Sequence, residues 1–215
     1  MKKINENYFK NTNKSSMTEI KDTIGQDEQI LWQGKPKKGS YILSAVSKML
    51  PFALIWLLFD GGFIATMILG DAEIPPEMTI FFVVFFAFHL LPVWIWLYNI
   101  ITASKKHKNI EYAFTNKRII IKSGVIGIDF QNIYYPDIVS VNLKVGLTDK
   151  MFKVGDIYIS SMDGAKVLFD IEDPYFITQR LQEIVIDIKS DIEFPNNFRP
   201  EENKGYRTVY TSYYN

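Results

Sequence analysis

The side chains that most often carry catalytic chemistry are scarce in this chain of 215 residues, which has no cysteine and two histidines, His89 and His107. A zinc site or a Ser–His or Cys–His triad needs more of them, and neither an HExxH motif nor a GxxxxGKS/T or GxGxxG phosphate loop occurs. The carboxylates of Asp170, Glu172 and Asp173 could do acid–base work, but a strand end and a helix cap account for them. We therefore expect no catalytic residue, no metal and no cofactor, and a protein that is not an enzyme.

Two ionisable residues, Asp60 and His89, fall inside long apolar runs. Residues 49–69 contain Asp60 as their one charge, and residues 78–101 contain no Asp, Glu, Lys or Arg. Because roughly 20 mainly apolar residues can cross a bilayer, the runs predict two transmembrane helices that insert as a hairpin. The helical rise places the two side chains ~16 Å and ~18 Å from the inner ends, so they could pair. The pair would hold the two helices together or handle protons or ions. The alternative is that the helix breaks at Asp60-Gly61-Gly62 and that Asp60 caps the break.

Charge on either side of the two runs predicts their orientation. The loop between them, residues 70–77, has three acidic residues and no basic one. Positive flanks stay in the cytoplasm, so we expect a multi-pass protein of the cell membrane with both termini cytoplasmic. The basic flanks are Lys35, Lys37, Lys38 and Lys48 before the first run, and Lys105, Lys106 and Lys108 after the second. The last three are also candidate contacts to anionic lipid, worth ~1 kcal/mol each.

Composition and hydrophobic periodicity divide the whole chain into five segments. We expect a flexible leader over residues 1–26, a juxtamembrane segment over 27–48, the hairpin over 49–103, a β-rich domain over 104–189 and a disordered tail over 190–215. The 24 basic and 24 acidic residues cancel, which removes the electrostatic case for nucleic acid as a partner.

The β-rich domain shows short segments with a period of two, followed by a helical period. Six strands are predicted at residues 111–115, 118–122, 125–130, 138–145, 156–161 and 166–171. Apolar residues at Ile177, Leu181, Ile184 and Ile188 then predict one amphipathic helix, which Asp173 would cap and Pro174 would begin. The fold class is therefore an α+β membrane protein, in which a two-helix transmembrane hairpin precedes a small β-sandwich or barrel capped by the C-terminal helix.

Four short motifs, in this order and spacing around the two apolar runs, make the sequence similar to the bacterial membrane-anchored pleckstrin-homology-like (PH-like) family. They are EQILWQGKP at residues 28–36, YAFTNKRIIIKSG at 112–124, VGDI at 154–157 and IEDP at 171–174. The resemblance implies seven strands capped by a helix on the cytoplasmic side of a hairpin, without enzymatic activity. It also implies a binding or assembly role, and supplies no catalytic residue.

The motif residues are expected to be mainly structural. Turn and strand-edge positions explain Tyr112, Thr115 and Arg118 better than ligand contact does. Trp32 is expected to pack on the domain or to anchor at the interface. The remaining motif residues are Gly34, Pro36, Gly124, Gly155, Asp156, Asp173 and Pro174.

Two functions remain open from the sequence. The leading hypothesis is a non-enzymatic membrane protein whose cytoplasmic PH-like domain binds a protein partner or another copy of itself, assisted by anionic lipid. The alternative is a small oligomeric transport or resistance component with a polar path through Asp60 and His89.

Overall fold

Seven strands form two antiparallel sheets in the computed structural model, which describes residues 18–25, 27–70 and 75–193. The first sheet has the order β1 (Ile30–Gly34), β2 (Glu111–Thr115), β3 (Arg118–Ser123) and β4 (Asp129–Tyr134), and the second has β5 (Ile138–Lys144), β6 (Val154–Ser161) and β7 (Gly164–Glu172). The predicted α+β class is thus present, with the seven strands that the resemblance implied.

The described residues also contain six α-helices. Four of them, α1 (Lys38–Ser47), α2 (Leu50–Leu69), α3 (Pro76–His89) and α4 (Leu91–Asn109), lie between β1 and β2, while α5 (Leu147–Phe152) joins β5 to β6 and α6 (Pro174–Glu193) ends the described chain.

The core lies between the two sheets and under α6. Buried side chains of the sheets, such as Ile119, Ile157 and Leu168, meet Leu181 and Ile188 of α6. The helical period predicted for residues 177–188 therefore covers the core, and Pro174 begins the helix as expected. The helix continues to Glu193, so residues 190–193 of the predicted tail are helical, and residues 194–215 lie outside the described residues.

The first strand corrects the predicted domain boundary. β1 lies in the segment assigned to the membrane flank, yet it pairs with β2 from Gly34 opposite Tyr112 to Ile30 opposite Thr115. The PH-like domain is therefore not confined to residues 104–189, because its first strand precedes all of α1–α4. Since β1 and β2 are neighbours, both ends of the helical segment 38–109 emerge from the same sheet.

Two other segments differ from the sequence prediction. β4 begins at Asp129 rather than 125, because residues 124–128 turn the chain and Ile126 is fully exposed. Most of the predicted leader lies outside the described residues, but residues 18–25 are ordered against the domain. A 3-10 helix there, Ile20–Thr23, buries Ile20 beside Ala113 and Ile120.

The apolar helices are longer and less straight than predicted. Taken together, α1 and α2 make one helical run of 32 residues, Lys38–Leu69, that is long and apolar enough to cross a membrane. Helices α3 and α4 meet at an angle of 53° and would form one more span only as a bent pair. The bend follows from Pro92, which has no N–H to donate to the carbonyl of Phe88. Large apolar side chains on these helices are 68–82% exposed: Leu58, Phe59, Ile68, Leu69, Ile80 and Ile101.

Gly124 provides a test of the β3–β4 connection. Its φ is +141°, and a Cβ there would lie 2.0 Å from the carbonyl oxygen of Gly127. We expect Gly124→Ala to destabilise the protein by about 1–3 kcal/mol, because both backbone strain and a steric clash result. Gly127→Ala is the matched control, since nothing lies within 4 Å of its Cβ position. Unfolding of the detergent-solubilised protein measures both variants, and equal stabilities would contradict the assigned turn.

Candidate functional site

A buried ion pair fastens the chain ahead of β1 to the first sheet. Arg118 Nε donates to Glu28 Oε1 at 2.9 Å and Arg118 Nη2 donates to Oε2 at 3.0 Å. Thr115 Oγ1 also donates to Glu28, at 2.8 Å. Burial alone would favour the neutral acid, but the guanidinium, the Gly25 N–H and the Thr115 hydroxyl hold the pKa of Glu28 below its ordinary value. The ion pair therefore links residues that precede the apolar helices to residues that follow them.

The other residues of the YAFTNKR motif strengthen the same link. Asn116 exchanges two hydrogen bonds of 3.0 Å with the backbone of Gln29, one through its N–H and one through its side-chain oxygen. Tyr112 is buried, and its hydroxyl accepts the N–H of Phe169 on β7 at 3.1 Å. Burial raises the pKa of the Tyr112 hydroxyl well above its ordinary value. Tyr112, Thr115 and Arg118 thus hold the two sheets and the β2–β3 turn together.

Trp32 and its neighbours pack on the domain. The Trp32 ring lies 4.5 Å from the ring of Phe114, and a Cβ at Gly34 would fall 2.4 Å from the indole. The carbonyl of Pro36 accepts a hydrogen bond from His107 Nε2 at 2.8 Å. Of the two roles that the sequence left open for Trp32, the contacts favour packing.

The later motif residues position the start of α6. A Cβ at Gly155 would lie 2.9 Å from Cβ of Pro174, so glycine permits this close approach. Asp173 has a left-handed φ of +49°, and its carbonyl accepts the N–H of Ile177. Asp156 accepts the backbone N–H of Asp170 at 2.9 Å.

Polar contacts that the sequence did not indicate join the N-terminal end of helix α1 to β7. Ser40 Oγ donates to the carboxylate of Asp170, and both side chains are buried. The backbone N–H of Lys37 donates to the Asp170 carbonyl at 2.9 Å, and Lys37 Nζ forms a salt bridge of 3.0 Å with Glu172. These bonds attach the first apolar helix directly to the second sheet.

A cavity of about 530 Å³ lies at this attachment, between α1, α4 and the second sheet. Its charged lining comes from five elements and the α1–α2 junction, and consists of Lys48, Lys106, Lys144, Asp149, Asp156 and Asp170. Burial, together with the nearby carboxylates of Asp156 and Asp149, raises the pKa of Asp170 to about 6, although the Ser40 hydroxyl opposes the shift. Burial also raises the pKa of Asp156, against the attraction of Lys144 and Lys48.

Only one of the three lysines predicted to contact anionic lipid lines this cavity. Lys106 does so, and its ammonium lies 5.4 Å from the centre of the Tyr98 ring. Lys105 and Lys108 are exposed on the same helix and are not among the residues that line the cavity. The basic cluster is therefore divided between the cavity and the outer surface.

A second concave surface, which we call the β1–α6 groove, has an apolar floor. It encloses about 400 Å³ and includes Leu31, Trp32, Phe114, Phe176, Ile177, Arg180, Glu183, Ile184 and Asp187. Phe176 is 56% exposed, and the guanidinium of Arg180 lies 5.3 Å from its ring centre. Sequence periodicity indicated that α6 covers the core, but could not reveal that its edge forms a groove with a strand about 150 residues earlier.

Asp60 and His89 lie in contact, as their estimated depths suggested. His89 Nδ1 donates to the Asp60 carboxylate at 2.9 Å, and Asp60 is 1% exposed. The imidazole stacks on Phe85 at 5.0 Å and lies 6.0 Å from the Trp56 ring. The pair joins α2 to the end of α3, next to the bend. Across the described ranges, no group of three or more His, Asp or Glu side chains could hold a metal ion.

Comparison with known proteins identifies the family. The family described as Bacterial PH domain matches residues 52–190, from α2 to α6, and the chain belongs to this family. A crystal structure of a DUF1696 family protein with a pleckstrin-homology domain, from Shewanella loihica PV-4, aligns at 17% identity. The alignment covers 37% of this chain and 70% of that chain with a TM-score of 0.28. No curated protein matches the chain.

The Asp170–Ser40 contact predicts a pH dependence of stability. The pKa of Asp170 rises from an ordinary 3.8 to about 6 on folding, so the folded state binds the extra proton between these values. Its contribution to stability is full below about pH 4 and is lost as the pH rises through about 6. In Asp170→Asn we expect the fall in unfolding temperature between pH 4 and pH 7 to be smaller than in the wild type.

Asp163→Asn is the control for this measurement, because Asp163 is an exposed residue of the β6–β7 turn. It should keep the wild-type pH dependence. Identical pH profiles for the wild type and Asp170→Asn would contradict the raised pKa of Asp170.

Proposed function

We propose that this chain is a non-enzymatic, multi-pass membrane protein whose two apolar helical segments hold a PH-like binding module at the cytoplasmic face. The exposed apolar surface of α2–α4 supports the membrane assignment, since soluble proteins rarely leave so many large apolar side chains in water. Helix α2 has 20 residues, which corresponds to ~30 Å of helix and matches the hydrocarbon thickness.

The pairing of β1 with β2 carries the proposal, because it requires both strands to be on the same side of the bilayer. The helical segment between them then crosses the membrane an even number of times, as a hairpin does. This argument is independent of charge and agrees with the excess of lysine on both flanks. The exposed Lys105 and Lys108 would face the anionic headgroups and hold the module close to the membrane.

The β1–α6 groove is the surface that we propose for the protein partner or for a second copy of the chain. An exposed aromatic residue, an arginine beside it and an apolar floor are features that interface centres favour. The groove involves β1, which is joined to the start of α1 by three residues. A partner bound there would therefore be held at a fixed distance from the membrane.

Crosslinking from the groove tests this assignment. A photo-crosslinking amino acid in place of Glu183, on the groove wall, should give a discrete adduct in cells whose mass distinguishes a second copy from another protein. Phe176→Ser should abolish this adduct, since it removes the exposed aromatic ring with little effect on the core. Val139→Ser is the control, because Val139 is 70% exposed on β5 and lies outside the groove. An adduct that survives Phe176→Ser, or no adduct at all, would contradict a binding role for the groove.

The contact between Asp60 and His89 favours a second candidate, a small oligomeric transport component. A buried carboxylate beside a histidine within apolar helices could relay protons or ions if several hairpins assembled around it. For this candidate, liposomes containing the protein should show a proton or ion flux that Asp60→Asn and His89→Ala remove. Absence of any protein-dependent flux would eliminate it and leave the pair as a contact between helices.

A further inference from the structure

The cavity between α1, α4 and the second sheet carries both signs of charge and has no role in the function proposed above. Its volume of about 530 Å³ lies in the range of sites for organic ligands and is far larger than a single ion requires. Three lysines and three aspartates line it, so its formal charge balances. A ligand that carries one positive and one negative group would be complementary to this lining.

The lysines of the cavity have N–H donors that are not engaged in salt bridges. Lys48 follows α1, Lys106 lies on the last turn of α4 and Lys144 ends β5, so three separate parts of the fold bring them together. Within residues 18–25, 27–70 and 75–193, none of the three forms a salt bridge within 4.0 Å. Each ammonium has three N–H donors, and a phosphate is an acceptor that suits such a group.

The aspartates of the cavity keep acceptor capacity. Asp170 accepts one side-chain hydrogen bond from Ser40, and Asp156 accepts one from the N–H of Asp170. A carboxylate has about four acceptor positions, so both can receive further N–H donors. Asp149 has fewer free acceptor positions, because it accepts the Gly146 N–H at 2.7 Å and a hydrogen bond from Thr148.

Asp170 and Lys48 lie near opposite ends of α1. Ser40, which contacts Asp170, comes eight residues before Lys48, which corresponds to ~12 Å along the helix. Lys48 and Lys106 adjoin the apolar lengths of α2 and α4, whereas Asp156, Asp170 and Lys144, which lies opposite Asp156, belong to the sheet. In the membrane orientation proposed above, Lys48 and the ammonium of Lys106, which lies over the Tyr98 ring, are on the bilayer side of the cavity, and Asp156 and Asp170 are on the cytoplasmic side.

We propose that this cavity binds the headgroup of a phospholipid that carries a primary amine. Lys48 and Lys106 bind the phosphate, and the carboxylates of Asp156 and Asp170 accept the N–H groups of the ammonium. In a bilayer the phosphate of such a lipid lies nearer the hydrocarbon than the amine does, which is the order of charges in the cavity. A phosphatidylglycerol headgroup has no cation, and the methylated ammonium of phosphatidylcholine has no N–H to donate.

The proposal rests on the membrane role of the chain, and the experiment separates the two. The full-length protein, purified in detergent, is titrated with phosphatidylethanolamine, phosphatidylcholine and phosphatidylglycerol, and bound lipid is counted by native mass spectrometry. We expect retention of one phosphatidylethanolamine at concentrations about tenfold or more below those needed for the other two lipids. Soluble phosphoethanolamine is a further arm, and binding as tight as that of the lipid would overturn a lipid source for the ligand.

Substitutions of the residues that line the cavity test whether the lipid binds there. Lys48→Gln and Asp156→Asn preserve side-chain size and should each weaken phosphatidylethanolamine retention by about tenfold. Lys150→Gln and Asp163→Asn remove charges of the same signs from exposed positions outside the cavity and should leave retention unchanged. Equal retention of the three lipids, or equal losses in the cavity and control variants, would overturn the proposal. Stable reconstitution into liposomes with no preference among lipids would reject this site and leave the membrane role intact.

Discussion

The antiparallel pairing of β1 with β2 is the contact on which the rest of the structure depends. It joins residue 34 to residue 112, across the whole of the apolar helical segment, and the buried ion pair of Glu28 with Arg118 secures it. A buried pair of this kind is costly to break, since removing one partner leaves an uncompensated charge in the interior. The helices are therefore an insertion within one sheet of the PH-like domain rather than a tether ahead of it.

This insertion makes the junction between helices and sheets rigid. Three residues separate β1 from α1, and Ile110 alone separates α4 from β2, so neither connection has the length of a flexible linker. The contact of Ser40 with Asp170 and that of Pro36 with His107 add side-chain bonds at the same level. The cavity is a consequence, because α1 and α4 leave the sheets as a pair and enclose space against β6 and β7. A ligand there would contact both the apolar helical segment and the domain.

The sequence predicted those parts of the fold that depend on local patterns. β2 has the predicted bounds and α6 begins at Pro174 as predicted, because alternation, turn residues and a helix-initiating proline are visible within a few residues. The contact of Asp60 with His89 followed from their depths in two apolar runs. β1 was missed as a strand because ILWQG has no clear alternation and its partner lies about 80 residues later. The cavity could not be predicted, since Lys48, Lys106, Lys144 and Asp170 meet only through the tertiary fold.

Labelling of single cysteines tests the central claim that β1 and the later strands lie on one side of a membrane crossed by the helices between them. The chain has no cysteine, so Gln33→Cys, Glu77→Cys and Asp163→Cys each provide a unique site at an exposed position. The account predicts that an impermeant maleimide labels position 77 in intact cells, and labels positions 33 and 163 only after the membrane is opened. Labelling of positions 33 and 163 from opposite sides would contradict the account, because β1 could not then pair with β2.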